Sequence, residues 1–404
     1  MDRPEPGPTL PALPPGRTAA PPAPSAARRR RLLLLGAVVL LPALFVRGCV
    51  LDTFVIRSSS MAPLFEGAAD GGDHLLVLRD GLDARPLRRW DVVVVEGAVD
   101  QELPPEFGAL LKRVGALGGE RVVLRGGDLW VAPDDVAPLA LARKPDDLVR
   151  RLLVTVHESP GLSAPWTWEG PGERSEGPEG VTLRAGATPG RALFAEPVTD
   201  GLPGEPGENA VADTALRVEL GGGDGVLELQ LREGADVFRA RLAPAARGGA
   251  ALHHNLAGVV AAAPDFPGLR AGDEVLAWNV DDGVRVFVNG ALLLSWDQPP
   301  HDPPHPGDAP RNDPSLLVSD GALTVRRLAV LRDLHYTGEG GWKGGDEFRL
   351  VPSGQLFLLG DHSRRSRDSR YFGPVPEAAV LGRPVARYAP WARAGRLDRR
   401  GLPP

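Results

Sequence analysis

Four consecutive arginines, Arg28 to Arg31, lead straight into Leu32 to Val46, a run without one polar side chain. Such a run needs apolar surroundings along its length, which points to a membrane anchor or an export signal. Crossing about 30 Å of hydrocarbon takes roughly 20 helical residues, more than the uninterrupted run supplies. The apolar pattern resumes after Arg47 with Cys49, Val50 and Leu51. Arg47 can snorkel to the far headgroups, so a span from Leu32 to about Leu51 fits. The basic block then leaves the preceding tail in the cytoplasm and everything after Ile56 outside. Three readings share this segment: an uncleaved anchor, a cleaved secretory signal, and a lipid-modified Cys49 after Val46-Arg47-Gly48. No Ala-x-Ala-like site follows the run, which favours the uncleaved anchor, and Arg47 suits a lipidation site badly. Residues 1–27 contain nine prolines and little apolar content, the pattern of a disordered tail.

Beyond the anchor the pattern is mainly β. His74–Leu78, Asp91–Val95 and Glu120–Leu124 are short Val- and Leu-rich runs bounded by Gly and Asp. A strand is expected within Glu106–Val114, and Asp146–Val156 reads as helix at its start and strand at its end. From Ser159 to about Asn209 Pro, Gly and Glu dominate, which predicts linker. A second β block follows in Leu216–Leu220, Val226–Leu231, Val237–Leu242, Glu274–Val280, Val284–Asn289 and Leu323–Leu331. Asp281-Asp282-Gly283 marks a hairpin with Gly supplying the positive φ, and Asn289-Gly290 marks another. Strands at this spacing predict a β-sandwich. The expected segments are a tail (1–27), a membrane anchor (28–56), the first part of a main domain (57–158), an inserted sandwich (159–332), the second part of the main domain (333–392) and a C-terminal tail (393–404).

Some residue types are scarce. Cys49 is the sole cysteine, so neither an intrachain disulfide nor a cysteine-based metal site is available. Lys112, Lys144 and Lys343 are the only lysines among 46 basic residues, and Met61 is the only methionine after Met1. The net charge of -6 and a pI near 5.8 give no support for a nucleic-acid partner. His253-His254, His301 and His305 lack a clear third ligand, so no metal and no cofactor is expected.

Three blocks carry chemistry: Ser58-Ser59-Ser60-Met61-Ala62-Pro63, Leu110-Leu111-Lys112-Arg113-Val114, and Gly360-Asp361-His362 followed by Ser366-Arg367-Asp368-Ser369-Arg370-Tyr371-Phe372-Gly373. Together, and in this order after an anchor, they resemble the bacterial type I signal peptidases, the leader peptidase family of membrane-bound Ser/Lys proteases. The resemblance covers residues 28 to about 125 and 335 to 390. It implies an antiparallel β catalytic domain, here split by the insertion. It also implies Ser60 as nucleophile, Lys112 as general base, and the Ser58 hydroxyl with the Ser60 N–H as oxyanion hole. Ser366 would hydrogen-bond and orient the base. Asp368 and Arg370 would brace the site, Met61 would pack beneath it, and Gly360 and Asp361 would complete its support. The residues agree with such chemistry. A lysine acts as base only when neutral, which burial promotes, and Leu110, Leu111, Val114, Ala116 and Leu117 offer an apolar wall. Arginine would stay charged in that place.

The sequence departs from the family pattern at Arg57, Ser59, Leu64-Phe65, Gly118 and His362, and these touch the expected groove more than the reaction. The implied function is removal of N-terminal signal peptides after small residues, by a single-pass enzyme of the bacterial cytoplasmic membrane with its catalytic domain outside. Its partners would be the signal peptides of exported pre-proteins and membrane lipid. The insertion ends in strands similar to concanavalin-like or laminin-G-like jelly rolls and could take an envelope partner. The alternative function is an inactive peptidase-like scaffold whose sandwich binds an envelope protein or carbohydrate.

Overall fold

The computed structural model describes residues 50–403 apart from 69–70, 80, 82–84, 103–107, 135, 203–204, 305–311 and 339–347. The tail, the apolar run Leu32–Val46 and Cys49 lie outside the described residues. Among the described residues no helix is long and apolar enough to cross a membrane. The last residues assigned to the anchor are not membrane helix: Leu51–Val55 forms strand β1, antiparallel to β2 (His74–Arg79).

The fold is mainly β, as expected. One sheet carries the proposed peptidase blocks, in the order β1, β2, Val380–Ala389, β3 (Val92–Glu96), β4 (Ala109–Leu117), Gln355–Leu359, Val375–Pro376. Successive side chains on a strand point to opposite faces. In β3 both faces are covered: Val92 and Val94 enter one core with Met61, Phe65 and Leu75, while Val93 and Val95 enter another with Val114, Leu356 and Leu358. That is why β3 reads as an unbroken valine run. A small sheet follows with β5 (Arg121–Arg125) and β6 (Asp128–Ala132).

The helix Asp146–Leu152 has two aspartates in its first turn and two arginines in its last, which complements its dipole. Leu148 and Leu152 point into the peptidase core, whereas Val149 joins a cluster with Trp278, Leu276 and Leu331 of the insertion.

The insertion is a sandwich of an eight-stranded and a seven-stranded antiparallel sheet around one apolar core. Its boundary comes earlier than the composition suggests, because Val154–Pro160 already pairs with the sandwich strand Ala322–Arg332. The Pro/Gly-rich stretch is not mere linker either. It holds strands at Trp166–Glu169, Glu173–Gly177, Gly180–Arg184 and Gly190–Phe194. Trp166, Val181, Leu183, Ala192 and Phe194 from this stretch are buried in the core. At the Asp281 hairpin the left-handed residues are Asp281 (φ 49°) and Asp282 (φ 56°), and Gly283 opens the next strand instead. Asn289 (φ 50°) and Gly290 (φ 79°) form the second hairpin turn, as expected.

Candidate active site

Ser60 lies in a single 3-10 turn, Ser59–Met61, which leaves β1 and folds back beneath the sheet. Met61 is fully buried in the peptidase core, which anchors the turn from below. From above, the His362 N–H donates to the Ser60 carbonyl at 3.0 Å. This is a backbone bond, so it does not depend on which side chain stands at 362. Ser58 is exposed, and its hydroxyl donates to Ser60 Oγ at 3.2 Å.

Lys112 comes from β4, directly opposite Val93 of β3. Strand alternation puts it on the face shared with Leu110 and Val114, next to Val93 and Val95. Leu111 and Ala116 turn to the opposite core, so only part of the expected wall faces the amine. Lys112 Nζ donates to Ser60 Oγ at 3.0 Å, and both side chains are buried. Burial lowers the Lys112 pKa from its ordinary 10.5 to about 8, with the Arg370 charge acting in the same direction and Asp368, Asp361 and Asp100 opposing. At neutral pH about a tenth of the amine is thus neutral, far more than at the ordinary value.

The supporting residues converge on this pair. Asp361 receives Arg113 Nε at 2.6 Å and Nη2 at 2.7 Å, a fork in which neither side chain is exposed. Asp368 receives the Gly360 N–H at 2.9 Å, and Arg370 Nε and Nη2 at 2.8 and 2.9 Å. Arg370 also donates to the Thr337 and Ser363 hydroxyls and to the Ser363 carbonyl. Gly360 has no room for a side chain, since a Cβ there would lie 2.1 Å from Ser366 Oγ and 2.6 Å from the Ser60 carbonyl. Ser366 departs from expectation. It is buried beside Gly360, but its hydroxyl has no hydrogen-bond partner among the described residues and so does not bond Lys112.

Sequence reasoning did not single out Arg113, Thr337 or Ser363. Arg113 carried a signal, an arginine flanked by apolar residues in a strand. The two hydroxyl residues carried none. A cleft of about 360 Å³ opens onto Ser60 and Lys112, bounded by residues 53–58 on one side and 108–112 on the other. Among the described residues both sides are unpaired strand edges. β1 ends its sheet, and β4 runs past Gln355–Leu359, whose pairing with it stops at Arg113.

The family "Signal peptidase, peptidase S26" matches residues 29–157 and 327–391, two stretches that bracket the sandwich and include all of these side chains. An Arabidopsis thaliana protein, "Mitochondrial ATP-independent inner membrane protease subunit 1b", is 46% identical over 48 residues, 12% of this chain and 28% of that protein. "Signal peptidase I" of Haemophilus influenzae is 53% identical over 34 residues, 8% of this chain and 10% of that protein. The chain thus spans less than a third of the length of these curated relatives. A Bacillus subtilis protein of unknown function with a galectin-like fold aligns with a TM-score of 0.34 at 12% identity, over 45% of this chain and 97% of its own. On the two matched stretches and these local identities, the chain belongs to the type I signal peptidase family, peptidase S26.

Proposed function

We propose that this protein is a membrane-anchored serine endopeptidase that removes signal peptides from exported proteins after small residues, with Ser60 as nucleophile and Lys112 as general base. The observation that carries the reading is the 3.0 Å contact between Lys112 Nζ and Ser60 Oγ in a buried site that depresses the amine pKa. A serine hydroxyl attacks a peptide carbonyl only as a base takes its proton, and a neutral lysine at this distance can take it. As Oγ bonds to the carbonyl carbon, negative charge moves to the carbonyl oxygen. The Ser60 N–H and the Ser58 hydroxyl would receive it once Ser58 turns from Ser60 Oγ. Lys112 then returns its proton to the departing amine. Next it takes one from the water that attacks the acyl-enzyme and passes it to Ser60 Oγ as the Oγ–carbonyl bond breaks, restoring Ser60 and the neutral amine.

An extended peptide fits between the free edges of β1 and β4 by strand addition, which places its backbone carbonyl beside Ser60. Arg28–Arg31 and Leu32–Val46 support the anchor and an outward-facing catalytic domain.

The test is cleavage of an Ala-x-Ala reporter by the full chain in detergent. Ser60→Ala, Lys112→Ala and Lys112→Arg should each reduce the rate by about 10²–10⁴-fold or more while keeping the wild-type circular dichroism spectrum. Full-rate cleavage by Lys112→Arg would refute the dyad. No turnover by the well-folded wild-type chain would favour a scaffold role.

A further inference from the structure

Three carboxylates act on the Lys112 amine, and each is held by an arginine of its own. Burial apart, the charges that bear on the amine are those of Asp368, Asp361 and Asp100, which hold its proton, and Arg370, which repels it. Asp361 is matched by the Arg113 fork and Asp368 by the Arg370 fork, with all four side chains buried. Asp100 is matched by Arg367, which stands between Ser366 and Asp368.

This third pair reaches the base from another part of the chain. The 3-10 turn Gly97–Val99 follows β3 and ends at Asp100. Val99 packs with Val93, Val95 and Leu110 in the apolar cluster on the Lys112 side of the sheet, and that carries Asp100 to the same side. The turn is fastened at both ends. The Gly97 N–H donates to the Gly108 carbonyl at 2.9 Å, and the Asp100 N–H donates to the Gly97 carbonyl at 3.1 Å. The Asp100 side chain is left 2% exposed. Its Oδ2 accepts Arg367 Nε at 2.8 Å, and its Oδ1 accepts Arg367 Nη2 and the Glu102 N–H, each at 3.1 Å. These bonds, the arginine's foremost, hold the Asp100 carboxyl below the ordinary range and therefore ionised. Arg367 itself is 38% exposed, 5.3 Å from the Tyr371 ring centre and 2.9 Å from the exposed Glu102 carboxylate.

An ionised carboxylate left bare near Lys112 would favour the ammonium form and raise its pKa. A guanidinium laid across both oxygens cancels most of that field, and it does so at every working pH because it stays charged. The other elements packed around Lys112 bring apolar or neutral groups among the described residues. β3 presents Val93 and Val95, the Gln355–Leu359 strand presents Leu356 and Leu358, and the Ser59–Met61 turn presents hydroxyls. Arg57 stands exposed at the cleft.

We propose that Arg367 is a positioning residue for Lys112: it fastens the turn after β3 to the Ser366 block and cancels the Asp100 charge, so that the amine can lose its proton. The inference rests on the reading of Lys112 as general base. Of the three arginines that face these carboxylates, Arg367 is the one that reaches solvent, so it can be altered with the least risk to the fold.

The test reads the amine itself. The chain has three lysines, so ¹³C-lysine labelling of the full chain in detergent gives few side-chain signals, and Lys112→Ala assigns the relevant one. Arg367→Gln should raise the Lys112 titration midpoint by about one pH unit, and Asp100→Asn should lower it. The double variant should return close to wild type. Arg367→Lys, which keeps the charge without the fork, should move the midpoint less than Arg367→Gln. In step, kcat/KM of Arg367→Gln for the Ala-x-Ala reporter should fall about tenfold at neutral pH and recover as pH rises. A merely structural brace would weaken both single variants without shifting their midpoints in opposite directions. Equal midpoints in wild type and Arg367→Gln, or shifts of the same sign in the two single variants, would overturn the proposal. If Arg367→Gln fails to fold, an Asp100→Asn midpoint at or above the wild-type value overturns it equally. Opposite shifts in a chain that cleaves no reporter would uphold the coupling of Arg367 to Lys112 and refute the protease reading instead.

Discussion

A lysine that is to take a proton from a serine must first give up its own, and at Lys112 burial drives that loss. The consequence is a pH limb. Below about 8 the amine is protonated and cannot act as base, so kcat/KM for the Ala-x-Ala reporter should fall about tenfold per unit as pH drops. Above about 8 it should level off. A profile flat from pH 6 to 9 would contradict the assignment. The same shift has a stability sign. Between about 8 and the ordinary value of 10.5 the unfolded chain holds the proton that the native state has lost, so stability rises with pH in that window. Beside this pair, Asp361→Asn would leave the Arg113 guanidinium buried without its counter-charge. That should cost about 3–5 kcal/mol, read by urea unfolding. At this scale the meeting of Ser60 with Lys112 was legible because the motif blocks pair them. The Ser366 contact was not, because one unfavourable rotamer or a few tenths of an ångström decides whether a hydroxyl bonds its neighbour.

At the level of elements, the strands with the strongest pattern were the most readable. Glu274–Val280 runs between the residues its sequence suggests, and the valine run of β3 is a strand covered on both faces. The stretch from 159 to 209 was misread because proline and glycine were counted as composition. Its information lay instead in Trp166, Val181, Leu183 and Phe194, each turned inward between turns. The Asp281 hairpin forms as its sequence suggests, but the positive φ falls on Asp281 and Asp282: Asp tolerates the left-handed region through local hydrogen bonding, so a following Gly need not occupy it. Gly290 tests the hairpin rule where nothing else intervenes. Its φ is 79°, and an added Cβ would meet only Arg150 Nη1 at 3.8 Å. Gly290→Ala should therefore cost about 1–2 kcal/mol of backbone strain alone, seen as a lower Tm with activity unchanged.

On the scale of the whole molecule, the helix Asp146–Leu152 belongs to two cores at once. Leu148 and Leu152 serve the peptidase and Val149 serves the sandwich, while Arg150 stacks 3.7 Å from the Phe287 ring centre and donates to the Gly290 carbonyl. Unfolding of one part should therefore drag the other, and calorimetry of the full chain should show one transition. Val149→Asp, a charge placed among Trp278, Leu276 and Leu331, should split it into two. Composition did not disclose this coupling, because contacts between segments more than a hundred residues apart leave no local trace.

The pairing of Val154 with Arg332 has one more consequence. The insertion leaves and re-enters at adjacent positions on neighbouring antiparallel strands, so the chain path joins it to the sheet that holds Ser60 and Lys112 as a hairpin connection would, with the contacts of Val149 and Arg150 added. Such a junction works as a socket. Any module whose ends lie a strand's width apart can be plugged in without stretching the Ser60 site. The inserted sandwich can thus be exchanged while the sheet that holds Ser60 and Lys112 keeps its strand order.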